Sequence, residues 1–184
     1  IFSFFTLISR ILGYLRDILI AFFLGASISA DAFFVAFRLP NTFRRLFSEG
    51  TFNAAFIPSY TSIKKENKKK GKRFADNILG SLLLILTIIV TVVEIFTPYL
   101  VYIIAPGFIE NEIKFNLAVE LTRITFPFLL FISLASFFSA ILNSHNRFAI
   151  ASATPIILNI LLIGVLFYGK FLNDHLVYYL SYAV

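Results

Sequence analysis

Residues 30–58, ADAFFVAFRLPNTFRRLFSEGTFNAAFIP, set Asp31, Arg38, Arg44, Arg45 and Glu49 among phenylalanines and small residues, with Pro40 between them. A guanidinium is planar, permanently charged and matched to bidentate contact with phosphate or carboxylate, so arginines gathered in this way are anion-binding chemistry. A second group lies upstream in SRILGYLRD, residues 9–17, where Arg10, Arg16 and Asp17 surround Gly13. Together Arg10, Arg16, Arg38, Arg44 and Arg45 outnumber Asp17, Asp31 and Glu49 by five to three. Internal pairing leaves a positive surplus, and phosphate or diphosphate is the chemically natural anion to balance it.

Spacing gives these side chains a common direction. On a helix advancing about 100° per residue, Asp31, Arg38, Thr42, Arg45, Glu49 and Asn53 fall within an arc of about 80°. Phe33, Ala36, Phe47 and Ile57 take the opposite side. Arg44 lies off the stripe. Pro40 interrupts the hydrogen-bond ladder and disfavours helical geometry at Leu39, which predicts a bend there. In the upstream segment Arg10 and Asp17 share a face, Arg16 projects about 100° away from Asp17, and Gly13 permits close approach of a helix or a ligand. Blander readings stand beside this one: snorkelling of Arg10, Arg16 and Asp17 at an interface, Asp31 as a helix N-cap, and Glu49 pairing with Arg44 and Arg45.

The elements that hold these residues are transmembrane helices. Hydrophobic residues make up 59% of the 184 and charged residues 14%, against roughly 45–50% and about 25% in soluble domains. Runs such as NILGSLLLILTIIVTVV (77–93) and SATPIILNILLIGVLFYG (152–169) approach the ~20 residues that cross a hydrocarbon core. Hydropathy predicts an all-α, polytopic transmembrane bundle with spans near 1–24, 31–62, 75–105, 115–142 and 152–171, and a sixth beginning at 175–184. Residues 63–74, including KKENKKKGKR, read as a basic cytoplasmic loop under the positive-inside rule, which also places the N-terminus inside. No signal peptide is recognisable. The start at Ile1 and the stop within LVYYLSYAV suggest a fragment of a longer fold.

A charge at mid-bilayer costs roughly 2.5–3.5 kcal/mol on insertion scales, so intramembrane ionisable residues usually face a bundle interior or a hydrated cavity. The stripe therefore predicts one wall of such a cavity. Glu94, Glu120 and Arg123 read as structural, with Glu120 and Arg123 spaced to pair on one face. Cysteine is absent, and His145 and His175 are 30 residues apart, which offers no metal site and no cofactor site. The basic loop lacks the aromatic interleaving of nucleic-acid binders and suits anionic lipid headgroups instead. No nucleophile with its base is visible, so a carrier or channel is expected rather than an enzyme.

Five stretches carry a resemblance: SRILGYLRD, the block 30–58, APGF at 105–108, ITFPFLLFISLASFFSAILNSHNRFAI at 124–150, and P-x-x-LN at 155–159. In these the chain resembles the MurJ (MviN) family of bacterial lipid II flippases, within the multidrug/oligosaccharidyl-lipid/polysaccharide exporter superfamily. The resemblance implies the N-terminal lobe of a two-lobed exporter, with a second lobe beyond Val184. It implies a bacterial cytoplasmic-membrane protein that moves lipid II, a disaccharide-pentapeptide on undecaprenyl diphosphate, to the outer leaflet by alternating access. Matched residue by residue, it implies that Arg10, Arg16, Asp31, Arg44, Arg45 and Glu49 line the central cavity; Arg38 occupies a commonly basic position. Gly13 and Pro40 are the expected hinge or bend points. Membrane potential and a counter-ion both remain open as the source of reset. A flippase for another undecaprenyl-linked glycan, an anion channel and a non-transporting scaffold are the alternatives.

Overall fold

The computed structural model describes residues 2–48, 51–145, 148–169 and 176–184, and for 2–3, 39, 43–48, 51, 53 and 148–154 it describes the backbone alone. The described residues are helical apart from short joints: α1 (Phe2–Leu24), α2 (Ile28–Ser48), α3 (Thr51–Glu66), α4 (Lys68–Ile104), a short 3-10 turn (Pro106–Glu110), α5 (Glu112–Thr125), α6 (Phe128–Ser144), α7 (Phe148–Gly169) and α8 (Leu176–Tyr182). Among the described residues, two stretches, 68–104 and 112–144, are long and apolar enough to cross a membrane. Phe22, Ile103, Ile113 and Tyr182 are each more than 70% exposed on the surface of the bundle. Water would not tolerate such a surface, whereas hydrocarbon would.

The span expected at 31–62 corresponds to α2 and α3, whose junction falls on residues 49–50, outside the described residues. The span expected at 115–142 is α5 and α6, meeting at Phe126 and Pro127. The basic segment 63–74 is helical on both sides of Asn67 rather than a loop. Asn67 explains this: extended at φ −155°, it accepts from the Lys69 N–H at 2.8 Å and so caps α4. At 37 residues, α4 is about 55 Å long, well beyond the ~30 Å hydrocarbon core. Its lysine-rich first turns can therefore stand in the headgroup region while the rest spans. α3 and α4 meet closely at that corner, where a β-carbon on Gly71 would lie 2.8 Å from Lys64 Cα, closer than real contacts allow.

α2 is central, packed along α5 and touching α3, α6 and α8, while α1 packs along α7. Ala32, Ala36 and Ala118 are fully buried in the largest apolar cluster, together with Phe33, Leu121 and Leu162. In lipid there is little hydrophobic drive between helices, so small residues that let backbones approach supply much of the packing. A second cluster, around Phe56, Tyr60 and Phe137, ties α3 and α4 to α6.

Prolines inside helices leave carbonyls that apolar surroundings cannot satisfy. Pro40 has no N–H for the Ala36 carbonyl, and the buried Thr125 hydroxyl of α5 donates to that oxygen at 3.1 Å. Pro98 likewise frees the Glu94 carbonyl, which lies 3.1 Å from the Thr97 hydroxyl while that hydroxyl donates mainly to the Val93 carbonyl at 2.7 Å, and α4 kinks at Phe96 (φ −102°, ψ 19°). Thr125→Val keeps the shape and removes the donor, so unfolding of the full-length protein in detergent should show a loss of about 1 kcal/mol. In a Pro40→Ala background the restored N–H should cut that loss; an unchanged cost would contradict the assignment.

Candidate functional site

Arg16 sits about two-thirds of the way along α1, where α1, α2 and α7 converge. Its Nε and Nη2 donate to Asp17 Oδ1 at 3.0 and 2.8 Å, and Nη1 donates to Asn159 Oδ1 of α7 at 2.9 Å. The guanidinium carbon lies 5.8 Å from the centroid of the Phe37 ring of α2, within range of a cation–π contact. The Arg16 side chain is 16% exposed and that of Asp17 is 58% exposed. Adjacent helix positions diverge by about 100°, yet the long arginine stem bends back to its neighbour. Asn159 in turn donates from Nδ2 to the Ser9 carbonyl at 3.1 Å, so α7 is pinned to α1 on both sides of Gly13. A β-carbon at Gly13 would stand 3.6 Å from Asn159 Nδ2, an ordinary contact.

A guanidinium has five N–H donors. Three are committed to Asp17 and Asn159, so two stay uncommitted among the described residues. Arg10, two turns toward the N-terminus, is exposed, and so is Arg38, next to the buried Phe37. Pro40 is buried, with α2 helical on both sides of it. The side chains of Arg44 and Arg45, and Glu49 altogether, lie outside the described residues. The structure thus gathers Asp17, Asn159 and the Phe37 ring around Arg16.

Asp31 belongs to the other end of α2. Ser27, not Asp31, caps that helix, its hydroxyl accepting from the Ala30 N–H at 3.1 Å. The Asp31 carboxylate instead pairs with Lys114 in the first turn of α5, whose ammonium lies 4.3 Å from the centroid of the Phe108 ring. The Glu120 carboxylate accepts from the Tyr178 hydroxyl of α8 at 2.7 Å, so among the described residues its partner is across the bundle rather than Arg123 one turn along. At the opposite end from Asp31, Lys64 of α3 meets His145 Nε2 at the end of α6. His175 lies outside the described residues.

Asn159, Lys114 and Thr125 escaped the sequence reading as partners. Asn159 could have been found, since it ends the quoted P-x-x-LN stretch and is a lone amide in an apolar run. Lys114 carries no such signal, because its partner is 83 residues away.

A family model described as "Lipid II flippase MurJ" matches residues 20–184. The chain is 45% identical over 173 residues to "Probable lipid II flippase MurJ" of Buchnera aphidicola subsp. Acyrthosiphon pisum, covering 94% of this chain and 33% of that protein. It is 44% identical over 184 residues to the protein of the same description from Rhizobium tropici (97% and 34%), and 37% identical to "Lipid II flippase MurJ" of Burkholderia cenocepacia (98% and 35%). A solved structure described as "Lipid II flippase MurJ, inward closed conformation" superposes with a TM-score of 0.84 at 30% identity, covering 99% of this chain and 38% of that one. The chain thus spans about a third of the length of the curated relatives it matches.

Because the Asp31–Lys114 pair is partly exposed, its contribution is expected to be small. Asp31→Asn should cost about 0.5–1 kcal/mol of stability in the full-length protein. Adding Lys114→Gln should cost little more, and additive losses in a thermal unfolding series would show that the two side chains act independently.

Proposed function

From membership of the MurJ lipid II flippase family, to which this chain belongs, we propose that it forms the N-terminal lobe of a transporter carrying lipid II across the bacterial cytoplasmic membrane. The chain is a helical membrane protein, and no step in this function calls for a catalytic residue. The observation that carries the reading is Arg16: a largely buried guanidinium, fixed by Asp17 and Asn159, with N–H donors that no other described residue takes up. In an apolar surround such donors favour a compact, highly charged acceptor, and the diphosphate of an undecaprenyl-linked substrate is one.

Arg10, Arg38, Arg44, Arg45 and Glu49 complete the proposed cavity wall, with Asp31 nearer the outer surface. The orientation has the N-terminus and the lysine-rich α3–α4 corner in the cytoplasm. Lys64 and His145 at one end of the bundle, and Asp31 and Lys114 at the other, are consistent with it. The headgroup enters between this lobe and a second lobe of the same protein, the arginines neutralise the diphosphate, and rocking of the lobes exposes the cavity to the outer leaflet. The polyprenyl tail stays in lipid throughout.

The test uses the full-length protein in cells depleted of their own flippase, following the lipid-linked precursor on the outer leaflet. Wild type should restore its appearance, and Arg10→Ala with Arg45→Ala, expressed at the same level, should lower the rate at least about tenfold, the loss of one charge-assisted contact or more. Equal rates would remove the cavity role. Failure of wild type, while a different undecaprenyl-linked glycan crosses, would move the substrate assignment to that glycan.

A further inference from the structure

Asn159 is 6% exposed within the apolar run of α7, and an amide there is costly unless both of its ends are bonded. Both ends are bonded, and both to α1: Nδ2 to the Ser9 carbonyl, and Oδ1 to Arg16 Nη1. Arginine can only donate and a carbonyl can only accept, so the opposite amide orientation would leave both bonds unmade. The Ser9 carbonyl anchors the amide, and the amide oxygen is thereby aimed at the guanidinium.

The consequence falls on Arg16. Asp17 holds one edge of the guanidinium through a single oxygen, Oδ1, which accepts from both Nε and Nη2. A contact of that kind leaves the plane free to swing about the shared oxygen. The Asn159 bond to Nη1 adds a third point that does not lie on Asp17. It restrains the plane between α7 and the Phe37 ring, so that the guanidinium cannot swing about the shared oxygen.

We propose that Asn159 is a positioning residue for the anion site: it does not touch the substrate but holds the Arg16 guanidinium so that its two remaining donors are presented to a diphosphate. This rests on the reading of Arg16 as a headgroup ligand. Without Asn159 the guanidinium, still paired with Asp17, is free to swing about Oδ1, no longer holds its remaining donors in one direction and binds an anion less well. A purely structural amide would instead affect stability alone, or would affect binding equally whether or not Arg16 were present.

The experiment measures binding of lipid II to the purified full-length protein in lipid nanodiscs, with thermal unfolding recorded on each variant. Asn159→Leu fills the same space without a polar atom, and Asn159→Ser, whose hydroxyl is too short to reach Arg16, serves if the leucine variant does not fold. Either should weaken binding about tenfold, the scale of one hydrogen bond to a charged group. In an Arg16→Ala background the same substitution should change binding by less than about twofold, since coupled residues are not additive. Unchanged binding in the single variant, or an equal loss in both backgrounds, overturns the proposal while leaving lipid II as the ligand. No binding by wild type overturns the functional reading, and this inference with it.

Discussion

An ionised group inside a bilayer has to be partnered by protein, ligand or water, and the arrangement of α1, α2 and α7 follows from how Arg16 meets that requirement. Asp17 supplies the counter-charge, Asn159 supplies a neutral acceptor from a helix far away in sequence, and Phe37 covers the guanidinium with an aromatic face. Among the described residues, these three leave two of the arginine's donors uncommitted. A fully paired guanidinium would be stable and inert, and an unpaired one would be costly to insert. Partial satisfaction, fixed in direction, is the condition under which a buried cation can bind and release an anion.

The same requirement governs the backbone. Lipid offers no hydrogen bonds, so each proline in a membrane helix obliges the fold to find another donor for the carbonyl it frees. Thr125 is that donor for Ala36, and Thr97 stands within reach of Glu94 while donating more closely to Val93; both are buried. Thr125 donates from a neighbouring helix, which makes it part of the α2–α5 contact as well. The small residues Ala32, Ala36 and Ala118 allow that contact to be close enough for a hydroxyl to reach.

Much of this was legible in the sequence, because hydropathy, charge runs and arginine clusters are local. The helical class, the apolar surface and the importance of the first two helices follow from residue type and short spacing. What was not legible depends on contacts between distant segments. The straight-helix projection set Arg16 and Asp17 on different faces, yet a flexible arginine stem joins them. Asp31 looks like a cap by residue type, but Ser27 occupies that role and frees the carboxylate for Lys114. The basic stretch reads as a loop from its charge, whereas Asn67 turns it into the start of α4. Asn159 stood in plain view as an amide among aliphatic residues, without any local sign of its partner.

The central claim is that arginines on α1 and α2 recognise the phosphates of the substrate. The most direct measurement compares binding of lipid II to the full-length protein with binding of the same disaccharide-pentapeptide on undecaprenol without the diphosphate. The account predicts tight binding of the first, weakened by raised ionic strength, and little binding of the second. Equal affinity for the two lipids would contradict it and would place recognition in the sugar and peptide instead.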